Sequence, residues 1–215
     1  MGNYSAIFWD WNGTLLDDVK ECIEIINVSL KQRALNELTL SDYLEKFEFP
    51  IKKYYENIGF DFSRESYEAA GKEYIDAYAT RMFDCRLHSG VHGALTAFKQ
   101  RGVRQFILSA LYDGSLRQCI IHYQLESYFD KIRGLGDSYA HSKIELGMNL
   151  IAETSCQKDA ALMVGDTVHD FETASAMGIP CVLIAAGHNS KHRLKACGVP
   201  VFDSVVDFAR HFDEL

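Results

Sequence analysis

Apolar residues follow two rhythms along this chain. Unbroken apolar runs at residues 6–9, 106–108, 161–164 and 181–185 are short, and the first three close on Asp10, on Ser109 and on Gly165 with Asp166. Runs of that length and continuity suit strands of a parallel sheet buried on both faces. Helix-length segments separate them, at residues 90–101, 115–122, 143–153 and 170–177. The alternation is a βαβ signature and predicts an α/β fold with a doubly wound, Rossmann-like parallel sheet.

Residues 18–82 break that pattern. No buried strand is legible there, but Val19, Cys22, Ile23, Ile26 and Leu30 fall at helical spacing, as do Tyr67, Ala70, Tyr74 and Tyr78. A structureless loop of that length does not suit a compact protein. The pattern therefore predicts a core of residues 1–17 and 83–215 and an all-helical insert over 18–82, with Ser63 and Ser66 offering a capped start to its last helix. Open α/β sheets bind ligands at the carboxyl ends of their strands. An insert leaving from the end of the first strand would cover that site as a cap.

Composition narrows the function. A chain of 215 residues is long enough for one substantial core and a small accessory domain. A formal net charge of -8, with no cluster of Lys and Arg, argues against nucleic acid or an anionic membrane as partner and favours a small molecule. Six cysteines without a CxxC pair suggest neither zinc nor a disulfide framework. The start, MGNYSAIFWD, carries no charged and apolar leader, and no apolar run approaches the ~20 residues that span a bilayer, so the cytoplasm is the expected location. No oligomeric interface is legible.

The strand ends carry the chemistry. Asp10 is followed by Trp11, Asn12, Gly13 and Thr14, a turn in which Gly13 lets the backbone bend closely round an anion. Asp166 and Asp170 stand in GDTVHD, the second about one helical turn after the first. Three carboxylates at one sheet edge repel one another unless a cation neutralises them, and hard oxygen ligands suit Mg2+. Asp166 and Asp170 equally suit the capping of a helix. Ser109 offers a hydroxyl to phosphate oxygens near a helix start, and Lys143, after the loop GDSYAHS, offers an ammonium.

In this order, DWNGTLLDD from Asp10, LSA at Ser109, the lone Lys143 and GDTVHDFETA from Asp166 resemble the four motifs of the haloacid dehalogenase-like superfamily, between Asn3 and about Phe208. The insert after the first motif looks like the cap of the phosphoglycolate phosphatase and phosphoglucomutase-like branch. The resemblance implies a phosphatase in which Asp10 attacks phosphorus to form an aspartyl-phosphate that water hydrolyses. It implies Mg2+ held by Asp10, the Asn12 carbonyl and Asp166, with Asp170 acting through water. Ser109, Asn12 and Gly13 would then receive the phosphoryl group and Lys143 would stabilise its charge.

One position departs from the pattern. Phosphatases of this family usually carry a second Asp two residues after the nucleophile as general acid and base, and here it is Asn12. An amide cannot exchange that proton, which removes assistance worth typically about 10²–10⁴-fold. Acyl or mixed-anhydride phosphates, a slow phosphatase using Asp17 or His169, a phosphonoacetaldehyde-cleaving enzyme with a cap lysine among Lys46, Lys52 and Lys53, and a retired binding protein all remain readings of that substitution. Trp9 and Trp11 share a face and read as packing residues. Phe47, Phe49, Tyr54 and Tyr55 suit either a specificity pocket or cap packing, His188 and His192 follow the last run, and GLG at Gly134–Gly136 is no dinucleotide fingerprint.

Overall fold

The computed structural model describes residues 4–136 and 142–215. Most of the loop GDSYAHS, and the end of the resemblance at Asn3, therefore lie outside the described residues. In chain order the elements are β1 (Ala6–Trp9), β2 (Leu16–Asp17), α1 (Val19–Gln32), α2 (Leu40–Lys46), α3 (Ile51–Asn57) and α4 (Tyr67–Arg81). There follow β3 (Arg86–Leu87), α5 (Val91–Gln100), β4 (Arg104–Tyr112), α6 (Asp113–His122), β5 (Lys131–Leu135) and α7 (Lys143–Thr154). The chain closes with β6 (Ala161–Gly165), α8 (Val168–Met177), β7 (Cys181–Ile184), α9 (Lys191–Lys195), β8 (Val201–Phe202) and α10 (Val205–His211).

Six of these strands form one parallel sheet in the order β5-β4-β1-β6-β7-β8. The chain works outward from β1 through β4 and β5, then returns to the other side of β1 with β6. That doubly wound order places the carboxyl ends of β1 and β6 at the switch point where ligands bind. The unbroken apolar runs follow from burial on both faces. Ile7, Trp9, Ile107, Leu162 and Val164 join one core cluster, while Ala6, Phe8, Phe106, Ala161 and Met163 join the other, as strand alternation requires. Trp9 and Trp11 lie in the same cluster, and Trp9 Nε1 donates to Gln105 Oε1 at 3.1 Å.

The structure adds what the apolar runs left out. β4 extends past Ser109 to Tyr112, and α6 starts only at Asp113, so Ser109 lies inside a strand and not beside a helix start. β5 and β8 lie towards the outside of the sheet, where a half-buried strand needs no continuous apolar run. β2 and β3 pair antiparallel at the two ends of the insert, with Leu16 beside Leu87 and Asp17 beside Arg86.

Between them α1 to α4 pack as a helical layer. Buried Val19, Cys22, Ile26 and Leu30 form the inner face of α1, and Arg33 at its end donates to Glu65 and Glu73. Ser66, not Ser63, caps α4 by accepting from Ala69 N at 3.0 Å. Among the described residues no helix is long and apolar enough to cross a membrane.

Candidate active site

Register brings the strand ends together. Trp9 pairs with Ile107 on one side and Val164 on the other, so Asp10, Ser109 and Asp166, each just beyond those partners, emerge at one edge of the sheet. Asp10 N donates to Val164 O at 2.9 Å, which fixes its departure from the strand. The turn that follows is closed on itself: Leu15 N and Leu16 N both donate to Trp11 O, and Gly13 N donates to Leu16 O at 2.9 Å. Gly13 has φ 75°, and a Cβ there would collide with the Asp166 carboxylate. Glycine is therefore required on both counts.

Asp10, Asp166 and Asp170 are all buried, and their nearest carboxylate oxygens lie within 4.8 Å of one another. Lys143 Nζ donates to Asp10 Oδ1 and, at 2.5 Å, to Asp170 Oδ1. Thr14 Oγ1 bridges Asp10 Oδ2 at 3.2 Å and Asp166 Oδ1 at 2.8 Å. The other Asp166 oxygen accepts from His188 N at 2.6 Å. Asp170 also caps α8, because its Oδ2 accepts from Asp166 N, Thr167 N and Thr167 Oγ1. Asp170 thus caps α8 with one oxygen and meets Lys143 with the other.

The charges are strongly coupled. Burial, with the like charges of Asp170 and Asp166, holds the Asp10 carboxyl well above the usual carboxylate range against the pull of Lys143. Burial raises Asp166 too, although the His188 charge opposes it. Burial works upward on Asp170, but Lys143 and the Thr167 bonds outweigh it and hold that carboxyl low. Lys143 sits at the first residue of α7, where the helix dipole disfavours a cation. Burial also disfavours its charge, yet the two carboxylates hold its ammonium above the ordinary amine range.

A second polar cluster adjoins the first. Asn12 Nδ2 donates to Asp18 Oδ2 at 2.7 Å and to Tyr78 Oη at 2.5 Å, and Tyr78 Oη donates to Asp18 Oδ2 at 2.8 Å. Asp18 Oδ1 accepts from Gly13 N at 2.9 Å and faces His188 Nε2 at 3.2 Å. Burial disfavours the His188 charge, but the Asp18 carboxylate prevails and pushes its pKa up to about 9. The His188 Nδ1 is 2.9 Å from Tyr43 Oη, so α2 meets His188 and α4 meets Asn12 and Asp18 through tyrosine hydroxyls.

The structure sorts the remaining candidates. Asp17 and His192 are exposed and line no part of the cavity at Asp10. Lys46, Lys52 and Lys53 are exposed as well, and none borders the cavity. His169 does border it, stacked on Phe49 with 4.5 Å between ring centroids. Ser109 is fully buried and its Oγ accepts from Leu111 N at 3.1 Å. Thr14, Asp18 and Tyr78 were not singled out by the sequence; Thr14 and Asp18 stand within the first motif, but nothing in spacing assigned them a partner.

Residues 7–184 match the sequence model of the haloacid dehalogenase-like hydrolase family. The chain is 26% identical over 197 residues to a 5'-nucleotidase of Pseudomonas aeruginosa, covering 90% of this chain and 88% of the relative. It is 24% identical over 189 residues to a phosphoglycolate phosphatase of Aquifex aeolicus, covering 85% of each. In three dimensions it is similar to a predicted phosphatase from Clostridium acetobutylicum, with TM-score 0.85, 24% identity and 99% of each chain covered.

Proposed function

Because the chain belongs to the haloacid dehalogenase-like hydrolase family, we propose that it is a Mg2+-dependent phosphatase that cleaves a small-molecule phosphate ester through an aspartyl-phosphate on Asp10. The observation that carries this reading is the buried group of Asp10, Asp166, Asp170 and Lys143 at the sheet switch point. An Asp10 oxygen attacks phosphorus, the P–O bond to the alcohol breaks, and water then attacks the acyl-phosphate to release phosphate and regenerate the carboxylate. Lys143 holds Asp10 in place and supplies positive charge to the transferring group, while Ser109 faces it from β4.

The donor set fits Mg2+. Three buried carboxylates offer oxygen alone, and their mutual repulsion is only part-relieved by Lys143. Asp10, Asp166 and the Asn12 main-chain carbonyl would hold the ion, with Asp170, already engaged by Thr167 and Lys143, acting indirectly. When bound, the cation offsets repulsion between an anionic nucleophile and an anionic substrate. Residues 18–82 serve as the cap, clamped by Arg193, whose guanidinium donates to Leu44 O and Phe47 O at 3.0 and 2.7 Å.

The relatives' names agree on phosphate chemistry and differ on the alcohol. Asn12 supports a second reading, a retired binding protein, since its amide is tied to Asp18 and Tyr78 and moves no proton. The phosphonoacetaldehyde-type reading loses support from the exposed cap lysines. The test is phosphate release from acetyl phosphate and p-nitrophenyl phosphate by parent and Asp10→Asn, with Mg2+ or EDTA. Magnesium-dependent release that Asp10→Asn abolishes supports the enzyme; a folded, Mg2+-binding parent that releases nothing supports the binding protein.

A further inference from the structure

The cavity above Asp10 has a volume of about 330 Å³, the lower end of the range that houses drug-sized ligands. Its floor holds Asp10, Ser109 and Lys143, and its walls are mainly aromatic and aliphatic side chains of the helical insert. Among the described residues, the basic side chains on this wall are already engaged. Lys143 is bound to Asp10 and Asp170, His188 to Asp18, and His169 Nδ1 to Glu172 at 3.1 Å. Among the described residues no arginine borders the cavity. A carboxylate or a second phosphate on the substrate would enter an apolar chamber whose described basic groups are already paired, which is costly.

Two further observations narrow the leaving group. The Tyr54 side chain belongs to the wall, and its hydroxyl is buried with no hydrogen-bond partner. The wall hydroxyls of Tyr43 and Tyr78 are by contrast engaged, with His188 and Asp18. The Tyr54 hydroxyl has no surface open to the cavity, so Tyr54 presents its ring and not its oxygen to a ligand. Asn12, independently, occupies the place where the family resemblance expects a general acid, and its amide donates to Asp18 and Tyr78. A leaving group that departs as a stable anion needs that proton least.

We propose that the substrate is an aryl phosphate monoester, a neutral aromatic ring system esterified through a phenolic oxygen. The ring stacks among the cap aromatics while the phosphate meets Asp10 and Lys143. Phenolic oxygen leaves as a phenolate, whose conjugate acid has a pKa of about 10 as in tyrosine, far below that of an alkyl alcohol. The bond from Asp10 to phosphorus forms as the bond from phosphorus to the phenolic oxygen breaks, and solvent protonates the released phenolate.

This inference rests on the phosphatase reading, and acetyl phosphate separates the two because it needs neither the wall nor an acid. The experiment measures kcat/KM of the parent for acetyl phosphate, phenyl phosphate, 1-naphthyl phosphate, AMP and 2-phosphoglycolate with Mg2+. Naphthyl phosphate is expected to have a KM about tenfold below that of phenyl phosphate, from the extra buried ring. It should also exceed AMP and 2-phosphoglycolate in kcat/KM by about a hundredfold or more, the size of the missing acid assistance on an alkyl leaving group. Turnover of acetyl phosphate with AMP or 2-phosphoglycolate preferred over naphthyl phosphate overturns the proposal. If nothing is turned over, the phosphatase reading fails, and calorimetry with naphthyl phosphate then decides the pocket: saturable binding supports it and no binding overturns it.

Discussion

Replacing Asn12 by Asp restores the acid that the sequence lacks, and the structure sets what that restoration does. The amide nitrogen lies 2.7 Å from Asp18 Oδ2 and 2.5 Å from Tyr78 Oη, beside a carboxylate with no solvent exposure. The substitution removes a hydrogen bond to a charged acceptor, worth about 1.5–3 kcal/mol, and sets two carboxylates at contact. Their repulsion is about 4 kcal/mol at 4 Å for an effective dielectric of 20. Protonation relieves part of it, and His188 already neutralises part of Asp18, so the net cost at pH 8 is about 3–5 kcal/mol. For a chain of this length that lowers the melting temperature by roughly 6–20 °C. The new carboxyl has a folded pKa raised above its unfolded value, so its stability contribution is full below about pH 4 and is lost as pH rises through the raised pKa. Asn12→Asp should therefore melt near the parent at low pH and fall progressively behind it at pH 6 to 8, measured by circular dichroism in EDTA. The double variant Asn12→Asp/Asp18→Asn, which restores a donor opposite the new carboxylate, should recover part of the loss at pH 8. A single variant as stable as the parent at pH 8 would refute the Asn12 to Asp18 contact as the structure describes it.

Other contacts give shorter tests. Thr14→Val removes the hydroxyl that bridges Asp10 and Asp166, and Mg2+ affinity by calorimetry should fall roughly 10–100-fold with the fold intact. Burial disfavours His188's charge and Asp18 favours it more, giving a pKa of about 9. Because that value is raised, the pair's contribution is full below about pH 6.5 and is lost as pH climbs through 9; it amounts to about 3 kcal/mol, counted once for the pair. Urea unfolding at pH 6.5 and 9.5 should show a stability drop in the parent that His188→Gln lacks. Arg193→Ala releases the carbonyls of Leu44 and Phe47, which should destabilise the protein by about 1–3 kcal/mol and raise KM more than it changes kcat, read by denaturation and steady-state kinetics.

Much of the site was legible because it is written at strand ends. Asp10, Ser109 and Asp166 each follow an apolar run, and a parallel sheet buried on both faces must bring such ends to one edge. Lys143 and Asp170 were legible as candidates from their places in the motifs, but only packing shows one ammonium shared between two carboxylates. The short pair β2 and β3 and the strand β8 are two residues each, too short for any periodicity to register.

What the sequence determined by itself was therefore the alternation of strand and helix, the helical character of the insert and the set of polar residues at the strand ends, since these follow from local periodicity. Tertiary structure alone decided that Asp18 meets His188 across the fold, that Asn12 is held by Asp18 and Tyr78, and that Tyr54 is buried without a partner. Those facts depend on which side chains from distant segments enclose the same few ångströms of space. Periodicity fixes the face a residue occupies, and packing fixes what it meets there.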